Sequence, residues 1–139
     1  MGVGPETDIA VGIALSNAIK ESNISEKDVS FIISNSNLPK EFYKKESNGI
    51  ASIFNRSVPT FLMKSYTGEC YASFPLLSIA LLSRMSGCCL PDNLFGASDM
   101  VDSKYLVYEN ITIKEGSVAL IIGYGDFANA VVICLKHRK

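Results

Sequence analysis

One apolar helix constrains this chain more than any other feature of its sequence. Between Leu76 and Leu82, only Ser78 interrupts a run of aliphatic side chains. Pro75 is tolerated only in the first turn of a helix, which places the helix start near residues 72–74. A helix that is apolar all round either spans a membrane or is covered on both sides. This run is too short to span, since a span needs roughly 20 apolar residues. We therefore expect it to lie in the middle of a layered α/β protein.

Helices and strands alternate along the rest of the chain, which predicts an α-β-α-β-α-β-β order with helices on both faces of a mixed sheet. Strands are predicted from short runs rich in β-branched residues. The last two strands are joined by GYGDFAN, which favours a closing antiparallel pair. Further short strands are possible within 104–113. The predicted elements are helix 8–21, strand 29–33, helix 41–54, strand 60–63, the apolar helix, and strands 117–122 and 130–135.

The two N-terminal helices each carry residues that we assign to a buried face. On the first helix, helical spacing places Ile9 and Ile13 inward, and Thr7 is expected to cap the N-terminus. On the second helix, Ile50 and Phe54 are four residues apart and are expected to face the sheet.

Composition indicates one ordinary globular domain over residues 1–139. A hydrophobic fraction of 47% and a charged fraction of 19% fit that class. The net charge of −1 gives no electrostatic footprint for nucleic acid or for an anionic membrane, so neither partner is expected.

The few sulfur and imidazole groups argue against a disulfide framework and a metal site. Cys88 and Cys89 are adjacent, Cys134 lies on a predicted strand, and these three are expected to be small buried side chains. The N-terminal residues show no secretion signal, so a cytoplasmic location is expected. The only histidine, His137, lies in the basic C-terminal segment, and we predict no metal and no cofactor.

The segment KSYTGECYASFPLLSIALLSRMSGCCLP resembles the region around the second active-site histidine of the β-ketoacyl synthases, in the thiolase superfamily. Those condensing enzymes carry a Lys–Ser–x–x–Gly–His turn followed by an apolar helix and a Pro-marked exit. GVGPETDIAVGIALSNAIKESNISEKDVSFII is similar to the helix and strand that precede the family's first active-site histidine. GYGDFANAVVIC is similar to its glycine-rich turn and final strand. The resemblance covers nearly the whole chain and implies a single thiolase-like half-domain, the C-terminal half of that fold.

The chain departs from this family at its catalytic positions. Asn35 stands at the position of the first histidine and Glu69 at that of the second, whereas the supporting Lys64 is retained. The turn whose backbone N–H helps to stabilise an oxyanion keeps Gly123 and Gly125. The family's nucleophilic cysteine belongs to the N-terminal half-domain, to which no part of this chain is similar.

Each of these positions has a second interpretation. Asn35 could donate a hydrogen bond through its amide, but Asn in SNSNLPK is also ordinary turn chemistry. Glu69 could form an ion pair with Lys64, or could be protonated and donate. Cys70, near a helix N-terminus, could have a lowered pKa and act as a nucleophile, although no histidine can be named near it.

Three functions follow as hypotheses. The first is a non-catalytic β-ketoacyl synthase-like protein of fatty acid or polyketide-type biosynthesis that acts as an accessory half-domain. The second is the C-terminal subunit of a split condensing enzyme, an acyltransferase completed by a separate N-terminal-like half. The third is a scaffold protein with no acyl chemistry. The first two imply as partners another half-domain or a second copy of the chain in a homodimer, with acyl carrier protein as a further candidate.

Overall fold

The computed structural model describes residues 6–36, 40–68, 73–84, 87–90, 106–107, 111–124 and 130–138, in which helices alternate with strands. The helices are α1 (Thr7–Glu21), α2 (Lys40–Ala51), the short α3 (Lys64–Thr67) and α4 (Phe74–Arg84), with a 3₁₀ turn at Glu26–Asp28. The strands are β1 (Phe31–Ile33), β2 (Val58–Phe61), β3 (Leu106–Val107), β4 (Val118–Tyr124) and β5 (Ala130–Lys136).

The five strands form a mixed sheet in the order β3-β2-β1-β4-β5. Strands β1, β2, β3 and β4 are parallel, and β5 closes the sheet antiparallel to β4, from Val118 opposite Lys136 to Tyr124 opposite Ala130. The α/β class and the antiparallel closing pair are confirmed. Two elements differ from the expectation: the polar turn after β2 contains the helix α3, and the segment 104–113 contributes the two-residue β3.

One face of the sheet is covered by α1 and α2. Val11 and Leu15 of α1 and Ile50 of α2 pack against the side chains that alternate to this face, among them Ile32 and Leu120. The two helices approach closely, since a Cβ on Gly49 would lie 2.7 Å from the carbonyl oxygen of Asp8. The packing of this first core therefore requires glycine at position 49, where α1 and α2 cross.

The opposite face is covered by α4. Phe74 and Leu82 belong to a second core together with Phe31, Ile33 and Ile121, the alternate residues of the same strands. The hydroxyl of the buried Ser78 donates to the carbonyl of Phe74 at 2.8 Å, so the polar atom in this stripe is paired within its own helix. Helix α4 begins at Phe74, which confirms that Pro75 stands in the first turn.

The buried face of α1 differs from the one assigned from the sequence. Ile9 and Ile13 are exposed, Ile9 by 60%, whereas Val11, Leu15 and Ala18 are buried. Both sets have helical spacing, but only the second lies on the side where Val11 meets Gly49 at the crossing with α2. Thr7 was also wrongly assigned as the cap, because the helix begins at this buried residue and Glu6 precedes it. Among the described helices, none has the length and apolar character needed to cross a bilayer.

Candidate functional site

Polar side chains gather where three parallel strands end. Strand β1 leads into Ser34–Ser36, β2 leads through Leu62 and Met63 into Lys64, and β4 ends at Tyr124. The neighbours of β1 are β2 on one side and β4 on the other, so the connection that follows β1 and the connection that follows β4 run in opposite directions along the sheet. In open α/β sheets, ligands bind in the crevice at the carboxyl ends of the strands at such a switch point. We call the group formed by Ser34, Asn35, Glu46, Lys64 and Tyr124 the carboxyl-edge cluster.

Asn35 lies inside this cluster and bridges two strands. Its Nδ2 donates to the backbone carbonyl of Tyr124 at 3.4 Å, a long contact that links the ends of β1 and β4. The backbone N–H of Ser36 donates to the Ser34 hydroxyl at 3.0 Å, which folds the segment into a local serine turn. The side-chain amide of Asn35 is buried. The position that the resemblance assigns to the first histidine is thus occupied by a group that contacts the protein backbone.

Lys64 begins α3 and is also buried. Its ammonium nitrogen lies 5.4 Å from the centroid of the Phe74 ring, a distance at which the face of the ring attracts a cation. This contact connects the retained lysine to the start of α4. Glu69, the expected ion-pair partner, and Cys70 lie outside the described residues.

Glu46, like Ser34 and Tyr124, was not among the site residues expected from the sequence. It lies on α2, and its side chain is only 1% exposed. Burial raises the pKa of its carboxyl from 4.5 to about 7 because water no longer solvates the charge. Weaker effects lower the pKa: the hydroxyls of Ser34 and Tyr124, the Lys64 ammonium and the backbone N–H of Asn35. These groups are near the carboxyl, but within the described residues none makes a well-formed hydrogen bond to either of its oxygens.

The sequence did contain a signal for Glu46. It stands four residues before Ile50 and eight before Phe54, so helical periodicity places it on the same buried stripe. Charged neighbours in YKKES hid this stripe, because Lys44 and Lys45 make the segment read as a solvated surface. Tyr124 gave no comparable signal, since its relation to Glu46 depends on which strand lies beside β1.

Gly123 and Gly125 were expected in one glycine-rich turn. Gly123 lies inside β4 opposite Val131, and a Cβ there would come within 3.1 Å of the Cγ1 atom of Val131. Gly125 lies outside the described residues. The close approach of the Val131 side chain gives Gly123 a packing reason, and its role as an oxyanion donor stays a prediction.

The cysteines do not behave as one class. Cys88 and Cys89 are exposed, which corrects the expectation that they are buried, and Cys134 is half-buried on β5. Cys88 and Cys89 follow the end of α4, where the chain pairs with residues 111–113: the Ile113 N–H donates to the Cys88 carbonyl at 3.0 Å, and Cys89 forms an isolated bridge with Thr112. In the part of the chain that the structure describes, no three His, Cys, Asp or Glu side chains lie together as a metal site would require.

Chemically, the carboxyl-edge cluster joins an acid, a cation and an amide in a buried setting. A carboxyl with a pKa of about 7 is partly protonated at neutral pH and can give or take a proton. The buried ammonium of Lys64 and the amide of Asn35 are hydrogen-bond donors of the kind that stabilise an anion. Because Glu46 is almost fully buried, its carboxyl contacts protein groups and not solvent. A reaction at this carboxyl would require the carboxyl edge of the sheet to open. No protein-family model matches the sequence, and no protein of curated function matches it either.

Proposed function

We propose that this chain is a β-ketoacyl synthase-like half-domain that performs no condensation alone and acts as an accessory or partner half. The proposal is supported by the mixed sheet with its closing antiparallel pair, and by a helix, α4, that is apolar on two sides. It also draws on the sequence resemblance, which covers the same elements in the same order.

The exposed side of α4 is the observation that carries the proposal. Phe74, Ser78 and Leu82 face the sheet, whereas Leu76 is 70% exposed and Leu77 is 42% exposed. In the two-half condensing enzymes that the sequence resembles, the corresponding helix is sandwiched between its own sheet and the matching helix of the other half. Burial of apolar surface contributes about 25 cal/mol per Å², so covering both leucines would contribute several kcal/mol against the entropy lost on association. A second half-domain, or a second copy about a two-fold axis, is the partner that such a helix fits.

Loss of condensation follows from the residues at the catalytic positions. Asn35 is directed to the Tyr124 carbonyl, and Glu69 stands where the family needs a hydrogen-bond donor. Removing one oxyanion donor costs about 100- to 1,000-fold in rate, and here both histidines are replaced. We therefore expect no carbon–carbon bond formation when the purified chain is incubated with acyl and malonyl carrier proteins and the products are followed by mass spectrometry. A condensed product, or a stable acyl group on Cys70, would contradict the non-catalytic assignment.

Association is tested with a pair of matched variants. Leu76→Ser removes an exposed leucine from the outer side of α4, and Ile9→Ser removes a similarly exposed isoleucine from α1, on the opposite face of the sheet. Native mass spectrometry and light scattering over a dilution series should show a complex for the wild type and for Ile9→Ser, and a weakened complex for Leu76→Ser. For a separate partner half, the same pair is compared in a pull-down from cells that express the chain. A monomer at every concentration with no co-purifying half would contradict the proposal and favour the scaffold function.

A second candidate, the C-terminal subunit of a split condensing enzyme, is favoured by the carboxyl-edge cluster. Lys64 and Asn35, which are far apart in sequence, both lie at the switch point together with Glu46. The discriminating experiment adds a cysteine-bearing N-terminal-like half to the carrier-protein assay. Product that forms only in the mixture would establish the split enzyme, and a complex without product would support the accessory half.

A further inference from the structure

Strand β5 forms one edge of the sheet. Among the described strands, only β4 is hydrogen-bonded to it, and the two pair without a break in register from Ala130 to Lys136. Native sheets usually protect such an edge with a proline, a bulge or a charge within the strand. Strand β5 has no proline and no bulge, and its one charged residue stands at the last position. An unprotected edge of this length is suited to pairing with another strand.

The outer edge of β5 carries the backbone groups of alternate residues. The Val118 carbonyl accepts from the Ser30 N–H on the β1 side, whereas the Ser117 carbonyl accepts from the His137 N–H on the β5 side, both at 2.8 Å. Alternation along the paired strands therefore turns the N–H and C=O groups of the odd-numbered β5 residues toward β4. Within the described residues, no hydrogen bond reaches the groups that point away from the sheet. These groups belong to the even-numbered residues Ala130, Val132, Cys134 and Lys136.

The sequence of β5 is complementary to itself in the antiparallel direction. With Ile133 on a two-fold axis, Val132 lies opposite Cys134 of the second copy, and Ala130 lies opposite its Lys136. All the outward-pointing residues then meet in hydrogen-bonded pairs, which gives about eight hydrogen bonds, two for each of four pairs. The two Lys136 side chains lie at opposite ends of the paired strands, so like charges do not meet. Because every central position finds an apolar side chain opposite, the strand that fits this edge is a second β5.

Pairing also covers apolar side chains that a single copy leaves in water. On the α4 face, Val131 is 54% exposed, and Ile133 and Leu135 are only half-buried. In the two-fold register, Val131 lies beside Leu135 of the second copy, and Ile133 lies beside its own counterpart. Apolar side chains directly opposite one another are favourable cross-strand pairs. The same register therefore satisfies both the backbone groups and the apolar side chains of the edge.

The helix above β5 leaves room for the second copy. Helix α1 lies over β5, and α2 lies beside it toward the middle of the sheet. Gly12 stands at the crossing with α2, and helical spacing places Ala10 and Ala14 on the opposite side of α1, toward the β5 edge. Small side chains there allow two α1 helices to lie about 8–10 Å apart above the paired strands. The other edge strand, β3, has only two residues, so pairing ends at a closed dimer.

We infer that two copies of this chain pair through β5, antiparallel and with Ile133 on the two-fold axis, so that their sheets join into one. This interface goes beyond the proposed function, which concerns the outer side of α4 at Leu76 and Leu77, and does not depend on it. A single pair of strands is a small interface, and small interfaces are typically transient. Dissociation is therefore expected on dilution from millimolar to micromolar concentration.

Amide hydrogen exchange of the intact chain, followed by NMR, tests the pairing without any substitution. At millimolar concentration the amides of Val132 and Cys134 should be protected, because their N–H groups bond to the second copy. On dilution this protection should fall about tenfold or more, whereas the Ile133 amide, which bonds to β4, should stay protected. Fast exchange of Val132 and Cys134 at every concentration would overturn the inference. Protection of both in a chain that light scattering shows to be monomeric would overturn it too, since another segment of the same chain would then cover the edge.

Disulfide cross-linking tests the register. In a chain whose four cysteines are replaced by serine, Ile133→Cys places two thiols across the axis. The Cα atoms of such a non-hydrogen-bonded pair lie about 4.5 Å apart, within the range of a disulfide, so oxidation with diamide should link the two copies. Val131→Cys is the control: its side chain is more exposed, but its two thiols would lie about 13 Å apart along the strands. Equal cross-linking of the two variants would overturn the two-fold register.

A proline on the outer edge tests the hydrogen bonds. Val132→Pro removes an N–H that points away from β4, and proline is tolerated on this side of an edge strand. Since each dimer loses two hydrogen bonds, the dissociation constant should rise about 10- to 100-fold. Val132→Thr keeps the N–H and the branched shape, and it should change the dissociation constant little. Equal effects of the two substitutions would show that the outward backbone groups are not used.

Leu76→Ser separates this inference from the proposed function. The substitution weakens contact through the outer side of α4, and it should leave the protection of the Val132 and Cys134 amides unchanged. Loss of this protection in Leu76→Ser would assign the association to α4 alone and overturn the pairing through β5. Protected β5 amides in a chain with no complex sensitive to Leu76→Ser and no co-purifying half would support the inference while contradicting the proposed function.

Discussion

Replacing the buried Glu46 with glutamine is the sharpest test of the carboxyl-edge cluster. The folded chain holds the Glu46 proton more tightly than the unfolded chain, because burial raises the pKa from 4.5 to about 7. Below about pH 4.5 the carboxyl is protonated in both states and adds no penalty. Between about 4.5 and 7 only the unfolded chain ionises, so the free energy of unfolding falls as the pH rises. Above about pH 7 both states are ionised, and the folded state carries the full cost of a buried charge.

The size of this cost follows from the pKa. One pKa unit corresponds to about 1.4 kcal/mol, so a rise from 4.5 to about 7 amounts to about 3 kcal/mol. Glu46→Gln keeps the shape of the side chain and removes the ionisation. We expect it to change stability little at pH 4 and to raise the free energy of unfolding by about 2–3 kcal/mol at pH 8. The pKa of about 7 already includes the favourable interaction with the Lys64 ammonium, so this value is the net cost of the ionised carboxylate.

Urea unfolding followed by far-UV circular dichroism at pH 4, 6 and 8 gives these free energies. Glu21→Gln is the matched control, because Glu21 is an exposed glutamate at the end of α1. The difference between Glu46→Gln and wild type should grow with pH, whereas the difference for Glu21→Gln should stay nearly constant. If Glu46→Gln destabilised the protein equally at every pH, the ionised carboxylate would be well satisfied in the folded state, and the argument from burial would fail.

Three further predictions concern packing and pairing. Gly49→Ala should cost about 1–3 kcal/mol in urea unfolding, because its Cβ would meet the backbone of Asp8 and the side chain of Val11 where α1 and α2 cross. Alanine at the neighbouring exposed Asn48 is the control and should be nearly neutral. Equal effects of the two substitutions would mean that the two helices can separate freely. Phe74→Ala should cost about 3–5 kcal/mol in thermal or urea unfolding because the ring is fully buried, and a cost under 1 kcal/mol would show that α4 does not depend on this anchor. Lys64→Met and Glu69→Gln should each destabilise the protein, with the double variant losing less than the sum; strict additivity in this cycle would show that the two side chains do not meet.

The local sequence pattern was sufficient to predict the elements that have a strong hydrophobic pattern or a residue that marks a helix or strand end. The aliphatic run around Ile79 and the position of Pro75 fixed α4, because proline is excluded from a helix interior whatever surrounds it. The β-branched runs at β4 and β5 predicted the closing pair, since two such runs with a short connection favour an antiparallel neighbour. The resemblance to the condensing enzymes singled out Asn35 and Lys64, and the structure places them just beyond the carboxyl ends of the parallel strands β1 and β2, which share one edge.

Tertiary contacts decided the features for which two local solutions are equally good. On α1, the stripe of Ile9 and Ile13 and the stripe of Val11 and Leu15 have the same helical spacing, and the crossing with α2 selects the second. The burial of Glu46 depends on Tyr124, far away in sequence, because the sheet order sets β4 beside β1. Periodicity indicates which side chains share one side of a helix or strand. Which neighbour covers that side is set by non-local packing, and this packing also determines how far burial raises the pKa of Glu46.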